Sequence, residues 1–333
     1  TTITLKFQNY EAKVKWIPLY NNPMFYKDKD NKHFASKPMF GVEIQTTESG
    51  FEGQEHQFGA TSEFGYLTLD QIVKVLEEAI KQHPGPNVPK DLSEVLYVDA
   101  SKLFDIIPTR HDQQLPPILE GLRAKLAKNA LIYLPYRAAV LADVPQTALQ
   151  TTDGTGFGCK HNLVITDKLP FFAPHDIQLN SDCYASYTRR VTAQGKGRVD
   201  YATLVLPYGL TVNGDGVHIN NAGDASQFCM GTIYKNTLVY KDGDKNNHEG
   251  GDYGITAHLK KLDAGKSEAN KPYIINILPG FGDANVSFVA NEKGALIKKT
   301  PDAPSGLLAS DAVNCKIRNV NTSLKSYYTY AGH

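Results

Sequence analysis

The sequence predicts an α+β, β-rich fold: a mixed α/β region over residues 1–150, then an antiparallel β-sandwich-like module over residues 151–333. Three observations carry this. Amphipathic helical periodicity is confined to 68–83 and about 116–128. Short strand-like segments separated by Gly, Asn, Asp and Pro recur from about residue 150 onward. The aromatic usage leans to strands, with 18 Tyr and 14 Phe against a single Trp. A length of 333 residues suits about two domains. With 41% apolar and 21% charged residues, the chain can bury an ordinary core, which excludes wholesale disorder.

Residues 1–66 read as strands and turns. Ile3, Leu5 and Phe7 alternate with Thr4 and Lys6, and Lys13–Ile17 begins with the same period. Asn21-Asn22-Pro23, Asp28–Asn31 and Glu48–Gly53 are turn material. A helix is predicted over 68–83. Thr68 and Gln71 form a capping box, and Leu69, Ile72, Val73, Leu76 and Ile80 share one face. Pro84-Gly85-Pro86 ends it. Leu92–Val98 reads as a strand. The stretch 116–128 is a second helix, with Pro116 and Pro117 in its first turn and Ile118, Leu119, Leu122 and Leu126 as its apolar stripe. Ala130–Leu134 is a buried strand stopped by Pro135. Strands are then expected at Leu163–Thr166, Tyr184–Val191, Tyr201–Leu206, Thr237–Tyr240, Ile255–Leu259, Tyr273–Leu278, Val286–Ala290 and Cys315–Val320. Tyr184–Val191 and Tyr201–Leu206 are expected to form a hairpin. The second of these, free of charge, is expected to lie centrally in its sheet.

Lys plus Arg equals Asp plus Glu at 35 each, so no net field favours nucleic acid. No run approaches the ~18 apolar residues of a membrane-spanning helix, and no transmembrane segment is expected. The chain opens on a strand-like TTITLKFQNY, which fits a cytosolic protein or one whose leader has been removed. The four cysteines, Cys159, Cys183, Cys229 and Cys315, form no C-x-x-C pair and allow zero, one or two disulfides. Buried free thiols are the leading reading.

Few constellations could carry chemistry. Asp242, Asp244, Asn246 and Asp252 place oxygen ligands along a Gly-bearing loop, as a Ca²⁺ site requires. Tyr253 and Asn247 stand where an EF-hand would have its Glu and Gly, and a solvated hairpin loop is the leading reading. No other cofactor is implied. The ten His include no H-E-x-x-H. His161 near Cys159 and His175 beside Asp176 are the local pairs, and Cys159–His161 is the one arrangement resembling a nucleophile with its base. Carboxylate pairs such as Glu52 with Glu55, or Asp167 with Asp176, read as surface charge. There is neither a phosphate loop nor a G-x-S-x-G elbow. Trp16, Tyr20, Phe25 and Tyr26, set among Asn and Lys, are either core or a surface for stacking on a sugar or a protein partner.

Six fragments in order carry a resemblance. They are EVLYVDASKL (Glu94–Leu103), NALIYLP (Asn129–Pro135), CKHNLVITDKLPFFAP (Cys159–Pro174), YASYTRRV (Tyr184–Val191), YATLVLPYGL (Tyr201–Leu210) and ANKPYIINI (Ala269–Ile277). Over roughly residues 94–280 the chain resembles the β module of modular secreted and outer-surface proteins of Bacteroidetes-type bacteria, including BspA-like surface proteins. It departs from them in Tyr201, where Trp is usual, in Tyr208, where Phe is usual, and in lacking leucine-rich repeats. The resemblance implies a secreted or outer-surface location, a β-rich module, and adhesion, scaffolding or glycan binding with a cell-surface glycan or protein partner. It implies no catalytic residues. The leading expectation is therefore a non-enzymatic protein. A polysaccharide- or peptide-cleaving hydrolase is one alternative. A structural subunit of an extracellular assembly (pilus, surface layer or phage particle) is another, with the terminal SYYTYAGH as a donor strand.

Overall fold

Strands dominate the computed structural model, which describes residues 1–6, 10–19, 26–27, 34–35, 38–48, 72–103, 115–151, 154–191, 200–213, 216–217, 228–240, 253–261, 265–277, 284–290 and 292–301. The chain divides into two compact units, Thr1–Ser186 with Glu292–Thr300, and Tyr187–Asn291 with Pro301–His333.

In the first unit the strands are β1 (Thr2–Lys6), β2 (Tyr10–Leu19), β3 (Tyr26–Lys27), β4 (Phe34–Ala35), β5 (Met39–Glu48), β6 (Val95–Asp99), β7 (Leu131–Tyr133), β8 (Thr147–Gln150), β9 (Phe157–Cys159), β10 (Leu163–Thr166) and β11 (Ile177–Leu179). The helices are α1 (Ile72–Gln82), α2 (Leu115–Lys125) and α3 (Tyr136–Leu141). One nine-stranded sheet runs β1-β2-β5-β6-β7-β8-β9-β11 and ends on the short strand Leu296–Ile297. Its middle, β5-β6-β7-β8, is parallel, and the flanking β1–β2, β2–β5 and β8–β9 pairs are antiparallel. The parallel neighbours require crossovers, which contain α1, α2 and α3. Because β9 and β11 extend the same sheet, the first unit runs past residue 150 to Ser186.

The period of two decides which side chains meet the helices. Ile3 and Leu5, then Ala12, Val14 and Trp16, then Val42 and Ile44, Val98 and Ile132 join one core with Ile72, Val75 and Leu76 of α1 and Leu119 and Leu122 of α2. The helical stripes expected at 68–83 and 116–128 form this layer, while residues 68–71 lie outside the described set. The expected strand at Leu92 starts instead with a 3₁₀ turn, Leu92–Glu94, capped by Asp91 accepting from Ser93 N–H. Asn129, 1% exposed, holds the turn after β10. Its amide donates to the Thr166 and Leu169 carbonyls and accepts from Thr166 N–H, so a buried polar group is satisfied.

Gly41 pairs with Tyr97 across β5 and β6, and the Tyr97 ring occupies the space a Cβ at Gly41 would take. Tyr97 is buried and stacked on Phe172, so the ring has nowhere to retreat. Gly41→Ala is expected to destabilise the fold by about 2 kcal/mol through overpacking. A urea-denaturation midpoint unchanged by this substitution would contradict that packing.

In the second unit the strands are β12 (Ala185–Val191, entering from the first unit), β13 (Asp200–Leu204), β14 (Thr211–Asn213), β15 (Gly216–Val217), β16 (Phe228–Tyr240), β17 (Tyr253–Lys261), β18 (Gly265–Lys266), β19 (Tyr273–Ile277) and β20 (Ala284–Val289). They form a four-stranded antiparallel sheet β13-β19-β16-β17, a three-stranded sheet β15-β14-β18, and the neighbouring strands β12 and β20. The expected hairpin between Tyr184–Val191 and Tyr201–Leu206 does not form. β13 pairs with β19 instead, and it ends its sheet rather than lying centrally. The uncharged run continues into Leu206–Leu210, where burial comes from a tight packing corner. There Leu210 and Ser267 exchange hydrogen bonds, Asn270 N–H reaches the Leu206 carbonyl, and buried Tyr208 donates to the Phe288 carbonyl at 2.8 Å. Within β12 burial alternates, with Ala185 and Tyr187 buried. β16 and β17 pair Tyr240 with Tyr253, so 241–252 is the connection of a hairpin, as the sequence suggested.

Candidate functional site

The face of the large sheet away from the helices carries two rows in register. Gly41, Tyr97 and Leu131 form one, and Glu43, Asp99, Tyr133 and Ala148 the other. Asp99 and Tyr133 are the last residues of the parallel strands β6 and β7. In open α/β sheets this carboxyl end is where ligands bind, which makes the row the place to look.

Asp99 is a carboxylate only 6% exposed, and the chain just after its strand supplies its first partners. In the Asp99-Ala-Ser101 turn, Ser101 N–H and Oγ–H donate to Oδ1 at 3.0 and 2.5 Å. The second oxygen is taken by His175 Nε2 at 2.9 Å, from a residue 76 positions away. His175 arrives on the Pro170–Pro174 segment, in which Phe172 stacks on Tyr97 with centroids 5.7 Å apart. The imidazole lies against Phe157 at 4.9 Å and meets Tyr133 edge-on at 5.2 Å. Tyr133 O–H also reaches toward the His175 carbonyl at 3.4 Å. The segment is fastened by Ala173 and Thr300, which exchange backbone and hydroxyl bonds at 2.8 and 3.0 Å.

The electrostatics follow from this packing. Burial alone would raise the Asp99 carboxyl, but the hydrogen bonds from His175 and Ser101 outweigh it and hold the group below the usual carboxylate value. Burial pushes the Tyr97 and Tyr133 phenols well above their usual range, with nearby carboxylates adding to it, so both rings are neutral packing groups at neutral pH. At the β5 end of the row, Glu43 pairs with Lys15 at 3.2 Å and with Lys102 at 3.9 Å.

The residues singled out from sequence fall in different places. Trp16 is 1% exposed in the core, which removes it from any stacking surface. Tyr20 and Phe25 lie outside the described residues, and Tyr26 sits in β3 with its side chain outside them. The calcium-loop positions Asp242, Asp244, Asn246 and Asp252 also lie outside, as do Glu52 and Glu55. The Cys159–His161 pair is not a nucleophile and base. The Cys159 thiol donates to the His161 carbonyl at 3.3 Å, while the His161 ring turns to Asp143 at 2.6 Å. Burial pushes that thiol up to about 11, so it is protonated at neutral pH. His175 and its neighbour Asp176 diverge, Asp176 going to Lys298 Nζ and Lys299 N–H at 3.0 and 2.7 Å.

Asp99 and Ser101 were not singled out from sequence. The readable signal was a carboxylate ending an apolar strand, followed two residues on by Ser, which is an Asx-turn pattern. Comparison of the chain with protein-family models, curated proteins and solved structures returned no match.

Proposed function

We propose that this chain is a secreted or outer-surface protein that works by binding, in adhesion, scaffolding or glycan capture, with no chemical step of its own. One observation supports the reading. The six fragments that carry the resemblance build much of the frame: they contain β6, β7, β10, β12 and β19 and all but the first residue of β13. The buried Asp99 cluster that they help to build is closed on itself. Both Asp99 oxygens are occupied, and the Ser101 hydroxyl hydrogen goes to Asp99 rather than to a histidine. The shared pattern is thus a pattern of architecture, and binding falls to the loops it presents. In this reading the antiparallel sheets of the second unit pack as a sandwich. The Asp242–Asp252 connection is a solvated hairpin loop, Ca²⁺ binding there being the alternative that the chelator arm tests, and the protein's partner is a cell-surface glycan or protein.

The test is a glycan array and a surface-protein interaction screen with the whole chain, with Ca²⁺ and with chelator. Saturable binding to a defined glycan or protein is the expected result. No signal above background in both screens would overturn the binding reading, and self-assembly into filaments or layers would replace it with a structural-subunit role.

A second reading, a hydrolase, is favoured by the His175–Asp99 contact alone. An imidazole held by a buried carboxylate, with 42% of its side-chain surface exposed, is an arrangement general-base catalysis uses.

A further inference from the structure

Two thiols in the first unit are placed side by side. Cys159 closes β9, and Cys183 lies in the turn after β11, the strand that pairs with β9. Cys159 accepts a backbone hydrogen bond from Asn180 N–H at 2.9 Å, and Asn180 accepts one from Cys183 N–H at 2.9 Å. Two hydrogen bonds through a single residue therefore connect the two cysteine backbones. The side chains converge as well. Cys159 Sγ donates to the His161 carbonyl at 3.3 Å and Cys183 Sγ to the Lys160 carbonyl at 3.1 Å, so the thiols rest on consecutive carbonyls. Both are buried and free, and Cys183 is close enough to Cys159 to add to the rise that burial gives the Cys159 thiol. The chain between them carries β10, the Pro170–Pro174 segment and His175.

We propose that Cys159 and Cys183 are a disulfide pair that closes when the chain folds in an oxidising compartment, a step that rests on the surface location proposed above. The oxidant is a small-molecule or protein disulfide, such as oxidised glutathione. The thiolate of Cys183, the more exposed of the two at 8% against 3%, attacks it and releases one glutathione thiolate, leaving a mixed disulfide. The Cys159 thiolate then attacks the Cys183 sulfur and the second glutathione thiolate leaves. Two protein thiols and one disulfide become one protein disulfide and two glutathione thiols, the two protons lost by the cysteines being taken up by the released glutathione thiolates. The bond ties down the loop that delivers His175 to Asp99. A closed loop of about 25 residues raises the thermal midpoint by about 10 °C in a unit of this size.

The experiment uses the full chain bearing Cys229→Ser and Cys315→Ser, unfolded and then refolded in reduced and oxidised glutathione. Free thiols are blocked with N-ethylmaleimide and the digest is mapped by mass spectrometry. A Cys159–Cys183 linked peptide is the expected result, with a melting midpoint that falls on reduction. Recovery of both residues as maleimide adducts, or as glutathione mixed disulfides that never resolve, from folded protein would overturn the pairing. If the double variant does not fold, the four-cysteine chain is mapped in the same way. Refolding in vitro does not depend on location, so a surface-labelling result that places the protein inside the cell would sink the surface reading and leave the mapped pair standing.

Discussion

Trp16→Ala is expected to lower the melting midpoint of the first unit by about 10 °C, the largest effect of a single substitution at the sites discussed. The side chain is 1% exposed and belongs to the core that joins the β1-β2-β5 edge of the sheet to α1. In β2 it pairs with Val42 of β5, so removing the indole opens a void where two antiparallel strands and a helix converge. Truncation of a buried Trp costs about 3–5 kcal/mol, transfer and cavity together. Its Nε1 has no hydrogen-bond partner among the described residues. Trp16→Phe therefore removes a buried donor along with part of the ring, and should recover more than half of the loss. Thermal melts followed by far-UV circular dichroism decide this. An alanine variant melting within about 2 °C of the parent would place the indole outside the core.

Asp99→Ala is expected to destabilise the same unit by about 3 kcal/mol. The substitution strands the Ser101 N–H and hydroxyl and the His175 imidazole, all of which now donate to one buried carboxylate. Asp99→Asn keeps the shape and one acceptor oxygen, and should lose about half as much. The pH dependence has a definite sign. The folded-state value of Asp99 lies below the unfolded one, so its contribution is fully present above about pH 4 and is lost as the pH falls through the folded value. Urea midpoints of parent and Asp99→Asn should therefore differ most at neutral pH and converge in acid. A gap that widens below about pH 4 would contradict the hydrogen-bonded carboxylate.

What could be read in the sequence was local. The stripe Leu69, Ile72, Val73, Leu76 and Ile80 announces α1 because a helix states its apolar face within a few turns, although the fully buried line is Ile72, Val75, Leu76 and Ala79, with Val73 and Ile80 partly buried against the core. The Tyr184–Val191 alternation separates two faces, and burial of Ala185 and Tyr187 shows which of them turns inward. The six-residue α3 is too short to show a period. The parallel order β5-β6-β7-β8 joins residues separated by helices, and no strand states its partner locally. The same limit hid β13 pairing with β19 rather than β12. The Asp99 cluster was half legible. Its Ser101 half is a two-residue turn, but His175 comes from 76 positions away, and only the Pro170–Pro174 segment and the sheet bring the two together.

In a protein that acts by binding, the Asp99–His175 contact serves to hold the frame. His175→Ala, compared with the parent in thermal melts and in turnover of a panel of glycosides, esters and peptides, tests it most directly. A melting midpoint lowered by several degrees and no turnover by either protein are the expected results. Turnover by the parent that His175→Ala abolishes, with the midpoint unchanged, would contradict it and make the contact a catalytic one.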